Sequence, residues 1–196
     1  MRQFLVAAGC IVLLNACNIQ PAPVASPQNS TIDTVTEKPD FFPVTAFIKG
    51  QIYEIKQKGL SPMQYISIND HTDSAFVKFE QLDNLLKEFL QPEIDSANLV
   101  QFFTETKFLD QTIDAFTFTY DPKTTLPDSI PLKHWDVYIE PTTSKVKRVY
   151  LIKKTSDNKT LQLTWQSNQW CKITTLVTDA NGSTRVEKEE KISWDY

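Results

Sequence analysis

Period-two alternation runs through the second half of the chain. His134–Glu140, Val146–Lys154, Thr160–Gln166, Trp170–Thr178 and Thr184–Trp194 alternate apolar with polar residues and are rich in β-branched and aromatic types. That is the pattern of half-buried strands. Pro141-Thr142-Thr143-Ser144, Ser156-Asp157-Asn158, Ser167-Asn168 and Asn181-Gly182 separate them. Gaps this short leave room only for hairpins, so the strands form an antiparallel meander.

A two-residue type I′ loop at Asn181-Gly182 pairs Val177 with Val186 and Cys171 with Ile192. It places Cys171, Ile173, Val177, Val186, Ile192 and Trp194 on an apolar face and Lys172, Thr174, Glu187, Glu189 and Lys191 on a polar one. At Ser167-Asn168 two registers are open. Two loop residues set Trp165 opposite Trp170 on the polar face with Leu161 and Leu163, an exposed aromatic patch. An odd loop or bulge moves Leu161, Leu163 and Trp165 to the Cys171 face and turns Trp170 away. Burial of the apolar set favours the odd loop.

The pattern changes to a helical period before this half. Val44, Phe47, Ile48, Ile52 and Ile55 share one helical face, Asp40 is an N-cap candidate, Pro43 sits in the first turn and Gly59 can close the end. A helix over Phe42–Lys58 is predicted. Phe79, Leu82, Leu85, Leu86 and Phe89 make a second stripe, ended by Pro92, which predicts a helix over Phe79–Leu90. A short strand at Met63–Asn69, a helical turn at Ser96–Val100 and strands at Phe102–Leu109 and Thr112–Tyr120 complete the reading. If Glu140 pairs with Lys145, Val149 and Leu151 fall on the Tyr138 side, opposite Trp135, Val137 and Ile139, so both faces of the sheet carry apolar groups. The expected fold is therefore α+β: two N-terminal amphipathic helices packed on a curved antiparallel β-meander of about six strands, a single domain over residues 40–196.

Charge and composition narrow the chemistry. The chain has 20 Lys+Arg against 24 Asp+Glu, and no basic stripe stands out, which counts against nucleic acid as a partner. The four glycines (Gly9, Gly50, Gly59, Gly182) are dispersed, so phosphate loops and dinucleotide fingerprints are absent. His71 and His134 have no Cys or carboxylate at ligand spacing, and Asn69-Asp70-His71-Thr72-Asp73 reads as a polar loop with Asx turns rather than an ion site. No Gly-x-Ser-x-Gly, Ser-x-x-Lys or His-Glu-x-x-His motif occurs. Cys171 alternates with Ile173 on the apolar face and is read as a small core residue, not a nucleophile. No catalytic residue, metal or cofactor is assigned, and a non-enzymatic protein is expected.

Met1-Arg2-Gln3 precedes an apolar run from Phe4 to Leu14. The run is too short to cross a membrane and has the length of a signal-peptide core. Leu14-Asn15-Ala16-Cys17 follows and resembles the lipobox of bacterial lipoproteins, with a looser fit at Asn15. The resemblance covers only this leader. It implies residues 1–16 as signal peptide, a diacylglyceryl group on the Cys17 sulfur, cleavage before Cys17 and acylation of the new amine. Asn18-Ile19-Gln20 has no Asp after the Cys and no acidic cluster. By the same resemblance that implies an outer-membrane anchor facing the periplasm. Residues 17–39 comprise the Cys and a stretch rich in Pro, Ser, Thr, Ala, Gln and Asn, a composition that reads as a flexible tether.

Asp33-Thr34-Val35, Asp73-Ser74-Ala75, Asp95-Ser96-Ala97 and Asp128-Ser129-Ile130 repeat one pattern. It resembles the acceptor motif of the periplasmic O-glycosylation system of Bacteroidetes-type bacteria, which implies Thr34, Ser74, Ser96 and Ser129 as acceptors. Asp-Ser and Asp-Thr also mark turns and helix caps, and both readings stay open. Two function classes follow. One is a lipid-anchored module that binds an envelope protein or has a structural role. The other is a carrier holding a lipid or other apolar ligand between the curved sheet and the helices.

Overall fold

The structure is a computed structural model and describes residues 40–194. The readings on Cys17 and Thr34, and those on the leader and tether, lie outside the described residues.

The strand segments pair with their chain neighbours through short turns, as period-two alternation requires, and the ladder runs farther than six strands. β1 (Met63–Ile68), β2 (His71–Phe76), β3 (Phe103–Asp110), β4 (Ala115–Pro122), β5 (Leu132–Ile139), β6 (Val146–Ser156), β7 (Lys159–Gln166), β8 (Trp170–Thr178) and β9 (Thr184–Ser193) form one sheet. Its order is β2-β1-β9-β8-β7-β6-β5-β4-β3, and every pairing is antiparallel. The helices are few and mostly short: α1 (Val44–Gln57), α2 (Phe79–Leu85), α3 (Lys87–Leu90) and α4 (Ser96–Leu99). The expectation of two helices on about six strands is thus corrected to a mostly β molecule built on nine strands.

Two physical reasons account for the difference. The stripe predicted as one helix over Phe79–Leu90 breaks at Leu86, which leaves helical geometry with φ −97 and ψ 5. The break lets Leu82, Leu86 and Phe89 all enter the core, with Phe89 edge-on to Trp165 at 5.3 Å. Packing here outweighs helical continuity, whose per-residue preference is weak. The added strand β2 carries almost no apolar alternation, and all six of its residues are exposed. Its formation rests on the turn. Asn69 and Asp70 both take positive φ (47 and 63), and Ile68 pairs with His71 across them, a two-residue type I′ hairpin.

The other turns set the register. Asn168 at φ 61 centres a three-residue loop, and Trp165 pairs with Cys171. The odd-loop alternative is the observed one, with Leu161, Leu163 and Trp165 buried and Trp170 on the opposite face. The Asn181-Gly182 reading is corrected. Gly182 alone takes positive φ there, its N–H donates to the Asp179 carbonyl, and Asp179 N–H donates to Ser183, so the loop is odd. Leu176 pairs with Val186 and Val177 with Arg185. Val186 therefore leaves the core face and is 52% exposed. A bulge at Glu187 then restores the shift, so that Cys171 still faces Ile192.

Bulges also decide β5 and β6. Glu140 does bond Lys145 at the turn, but the register slips by one between Tyr138 and Ile139, past Lys147, and again at Lys133. Val137 then faces Val149, and Trp135 faces Leu151. The expected division of these four residues between two faces is overturned, and all four are buried together.

That common face is the core. Val44, Ile48, Ile52 and Ile55 of α1, with Leu82, Leu86 and Phe89, join Trp135, Leu163, Trp165, Cys171, Ile192 and Trp194 in one cluster. Trp135 stacks on Tyr120 at 4.4 Å and meets Phe103 edge-on at 4.6 Å. α1 ends in a Schellman motif, with Gly59 at φ 63 and Leu60 N–H donating to Ile55. Lys153, on the inner face at 4% side-chain exposure, donates to the Glu88 carboxylate at 2.5 Å and to the Glu88 carbonyl at 2.9 Å, fastening α3 to β6.

Candidate functional site

The helices lie on one face of the sheet, and the other face presents its side chains in three rows. In the first, Thr117, Tyr138, Arg148, Gln166, Trp170, Ser193, Met63 and Phe76 lie side by side across eight strands. In the second, Thr119, Asp136, Tyr150, Thr164, Lys172, Lys191, Tyr65 and Ser74 do the same. The third runs through His134, Ile152, Gln162, Thr174, Glu189, Ser67 and Thr72. Aromatic, amide, hydroxyl and charged groups thus share one broad surface. Alternation on β5 to β9 puts them there, because every second residue of a buried strand must point away from the core.

One end of this face is a hydrogen-bonded cluster. The His134 ring lies between two carboxylates, with Nδ1 2.8 Å from Asp121 Oδ1 and Nε2 3.1 Å from Asp136 Oδ2. Thr119 and Tyr138 also donate to Asp136, at 2.7 and 3.1 Å. The bond to Asp136, opposed by burial and reinforced by Asp121, raises His134 from 6.5 to about 9. Burial alone would raise Asp136, but the bonds from His134, Thr119 and Tyr138 outweigh it and hold the carboxyl below its ordinary value. Burial, then the Asp136 charge, push Tyr138 up to about 12 and Tyr150 upward. The two carboxylates favour the imidazolium form, in which both N–H groups are engaged. In that form it has no lone pair with which to take a proton, and the two carboxylates hold and orient it as a charged donor.

The middle of the face is cationic and aromatic. Arg148 donates from Nε to Gln166 Oε1 at 3.1 Å and lies over the Tyr138 ring at 5.8 Å. Lys191 lies over the Trp170 ring at 5.3 Å. Lys172 pairs with Glu189 at 2.9 Å, and Thr174 bonds the same carboxylate oxygen at 3.0 Å. These contacts fix long side chains that would otherwise be mobile.

Other candidates carry less. An open cleft of about 410 Å³ beside Pro92 is lined by Glu88, Asp128, Ser129, Lys153 and Lys154. Its cations are matched: Lys153 by Glu88, Lys154 by Asp157 at 3.0 Å, and the adjoining Lys133 by the Ile130 carbonyl at 2.8 Å. The β3–β4 tip exposes Phe108, Leu109, Ile113 and Phe116. Among the described residues no group of three His, Cys, Asp or Glu is placed to hold a metal ion.

The residues singled out from the sequence are dispersed. Ser74 lies mid-strand in β2, exposed and opposite Tyr65, not in the loop that its motif suggested. Ser96 opens α4 behind Asp95, whose Oδ1 accepts from Ala97 and Asn98 N–H. Ser129 is exposed in the turn before β5. Asn69-Asp70-His71-Thr72-Asp73 forms a hairpin turn and the start of β2, and His71 stands six strands from His134 in the sheet order. Cys171 is buried in the core, and burial lifts its thiol far above the ordinary range. The open-face cluster was missed because Asp121, His134, Asp136 and Arg148 are ordinary polar positions of separate strands. Only the pairing of β4, β5 and β6 brings them together, and no local signal announces it. Comparison with known proteins returns nothing similar to this chain: no protein family, no curated protein and no solved structure matches it.

Proposed function

We propose that this protein is a lipid-anchored periplasmic lipoprotein of the outer membrane, tethered through Cys17, and that it acts without catalysis by binding a protein partner through the open face of its sheet. The observation that carries the reading is the uncovered face itself. Tyr138, Arg148, Tyr150 and Trp170 stand on it beside half-buried polar groups already held by hydrogen bonds. Tyr, Trp and Arg are the residue types that dominate binding energy at protein interfaces, and side chains fixed before contact lose little entropy on binding. The protonated, doubly bonded His134 suits recognition better than proton transfer. The interior supports binding over transport of an apolar ligand, because Trp135, Trp165, Leu163 and Phe89 already fill the space between sheet and helices at 1% exposure or less.

The test is site-specific photocrosslinking in a native bacterial host. A photoreactive residue replaces Thr164, at the centre of the open face, or Tyr53, which is exposed on α1. The expected result is one discrete protein adduct from position 164 and none from position 53. Adducts only from position 53, or none from either, overturn the reading. In the same host Cys17→Ser is expected to abolish lipid labelling and release the protein from the membrane fraction. Retained labelling would remove Cys17 as the acceptor.

A further inference from the structure

Of the described cations that pair with no carboxylate, Arg148 and Lys191 are the ones held over an aromatic ring; Lys78, Lys87, Lys123, Lys133, Lys145 and Arg185 are not. Lysines 49, 56, 58, 107, 147, 153, 154, 159, 172 and 188 each have a carboxylate within ion-pair distance. Arg148 and Lys191 have no such partner among the described residues, although both are held in place, by Gln166 and the Tyr138 ring and by the Trp170 ring. They flank Gln166, Trp170 and Thr164 on β7 and β8, with Lys172 between them. Strands stand about 4.8 Å apart, so β6 to β9 spreads these cations over roughly 15 Å, the length of four or five residues of extended peptide. The net charge of the chain is −4, so this patch runs against the overall balance. The carboxylates nearest to it on the face are already engaged: Glu189 by Lys172 and Thr174, Asp136 by His134, Thr119 and Tyr138.

Resting on the binding role proposed above, we infer that the middle of the open face receives an acidic, extended segment of the protein partner. One carboxylate lies against the Arg148 guanidinium, whose two terminal amino groups are left over by the Nε bond to Gln166. A second lies near Lys191 and Lys172. A guanidinium presents paired donors that match a carboxylate, and one fixed by a neighbour loses less entropy on pairing. Gln162, Gln166 and Thr164 supply amide and hydroxyl groups that a peptide backbone can bond. These backbone-pairing groups favour a peptide over an anionic membrane.

The test is fluorescence anisotropy with a fluorescein-labelled hexaglutamate peptide and the full chain in detergent. Hexalysine, oligogalacturonate and phosphatidylglycerol vesicles are the comparison probes, and circular dichroism checks the fold of each variant. Hexaglutamate is expected to bind and hexalysine not to. Arg148→Gln and Lys191→Gln are each expected to weaken binding about fivefold and the pair by at least tenfold. Lys87→Gln, an exposed cation on the helical side, is expected to change nothing. Four results overturn the inference: no binding at about 1 mM peptide; equal loss with Lys87→Gln; preference for oligogalacturonate; preference for the vesicles. A crosslink at position 164 with no hexaglutamate binding would remove the acidic class and leave the protein-binding role. No crosslink with Arg148-dependent peptide binding would do the reverse.

Discussion

On β5, Trp135 and Val137 point toward the helices while His134, Asp136 and Tyr138 point away. The same strand therefore serves two surfaces with different rules. The inner surface is held by area: ring on ring at 4.4 to 5.3 Å around Trp135 and Trp165, with helices laid over it. The outer surface is held by direction: a 2.8 Å bond to a carboxylate, a guanidinium over a ring, a carboxylate shared by Lys172 and Thr174. Burial is non-directional and accumulates with every apolar atom covered, whereas polar contacts exchange one hydrogen bond for another and contribute little net. Stability should therefore reside in the inner face and specificity in the outer one.

The sharpest way to break that comparison is a pair of aromatic truncations. Trp135→Ala should cost about 3–5 kcal/mol, because it opens a cavity among Tyr120, Phe103 and Phe41. Tyr150→Ala, one strand away on the outer face, should cost under about 1 kcal/mol in urea unfolding. Equal costs would mean that the outer face is also structural.

Next comes the ion pair beneath α3. Glu88→Ala leaves the Lys153 ammonium without its carboxylate beneath α3, and about 3 kcal/mol of stability should be lost. Lys153→Met in the same chain should recover most of it, since the stem already lies in apolar surroundings. Failure of that rescue would show the pair to be worth more than its desolvation.

A smaller effect belongs to the outer cluster and reads out with pH. His134 is raised from 6.5 to about 9 in the folded protein. Its contribution is therefore complete below about pH 6.5 and lost as pH climbs through about 9. The shift corresponds to at most about 3 kcal/mol, which solvent at this partly open ring reduces to about 1–2 kcal/mol. Asp136, held low, adds the opposite limb, losing its contribution as pH falls through its depressed value. Thermal melting should therefore drop between pH 6.5 and 9, and His134→Gln should flatten that slope. An unchanged slope would remove the imidazolium from the account.

Smallest of all is Val186→Thr. An even loop at Asn181-Gly182 would bury Val186 and make this substitution costly. In the observed register Val186 is outside the core, so the change should stay within about 0.5 kcal/mol. A loss near that of a core truncation would restore the even loop.

The alternation by itself determined that β5 to β9 exist, that hairpins join them and that one side of each is apolar. It also set the stripe of α1 and its stop at Gly59. These are local: side-chain period, turn chemistry and chain reach are written within a few residues of where they act. Three things were decided only in the assembled sheet. Single-residue slips at Lys133, Lys147 and Glu187 chose which apolar residues share a face, because a period of two turns any one-residue error into a full reversal. The break at Leu86 came from packing, and the strand at His71–Phe76 from the turn at Asn69-Asp70 together with edge pairing to β1, neither of which leaves an apolar pattern in the sequence. The candidate site came last, since Asp121, His134 and Asp136, like Arg148, Gln166 and Trp170, become neighbours only across strands. A contact between residues far apart in sequence leaves no trace in either neighbourhood.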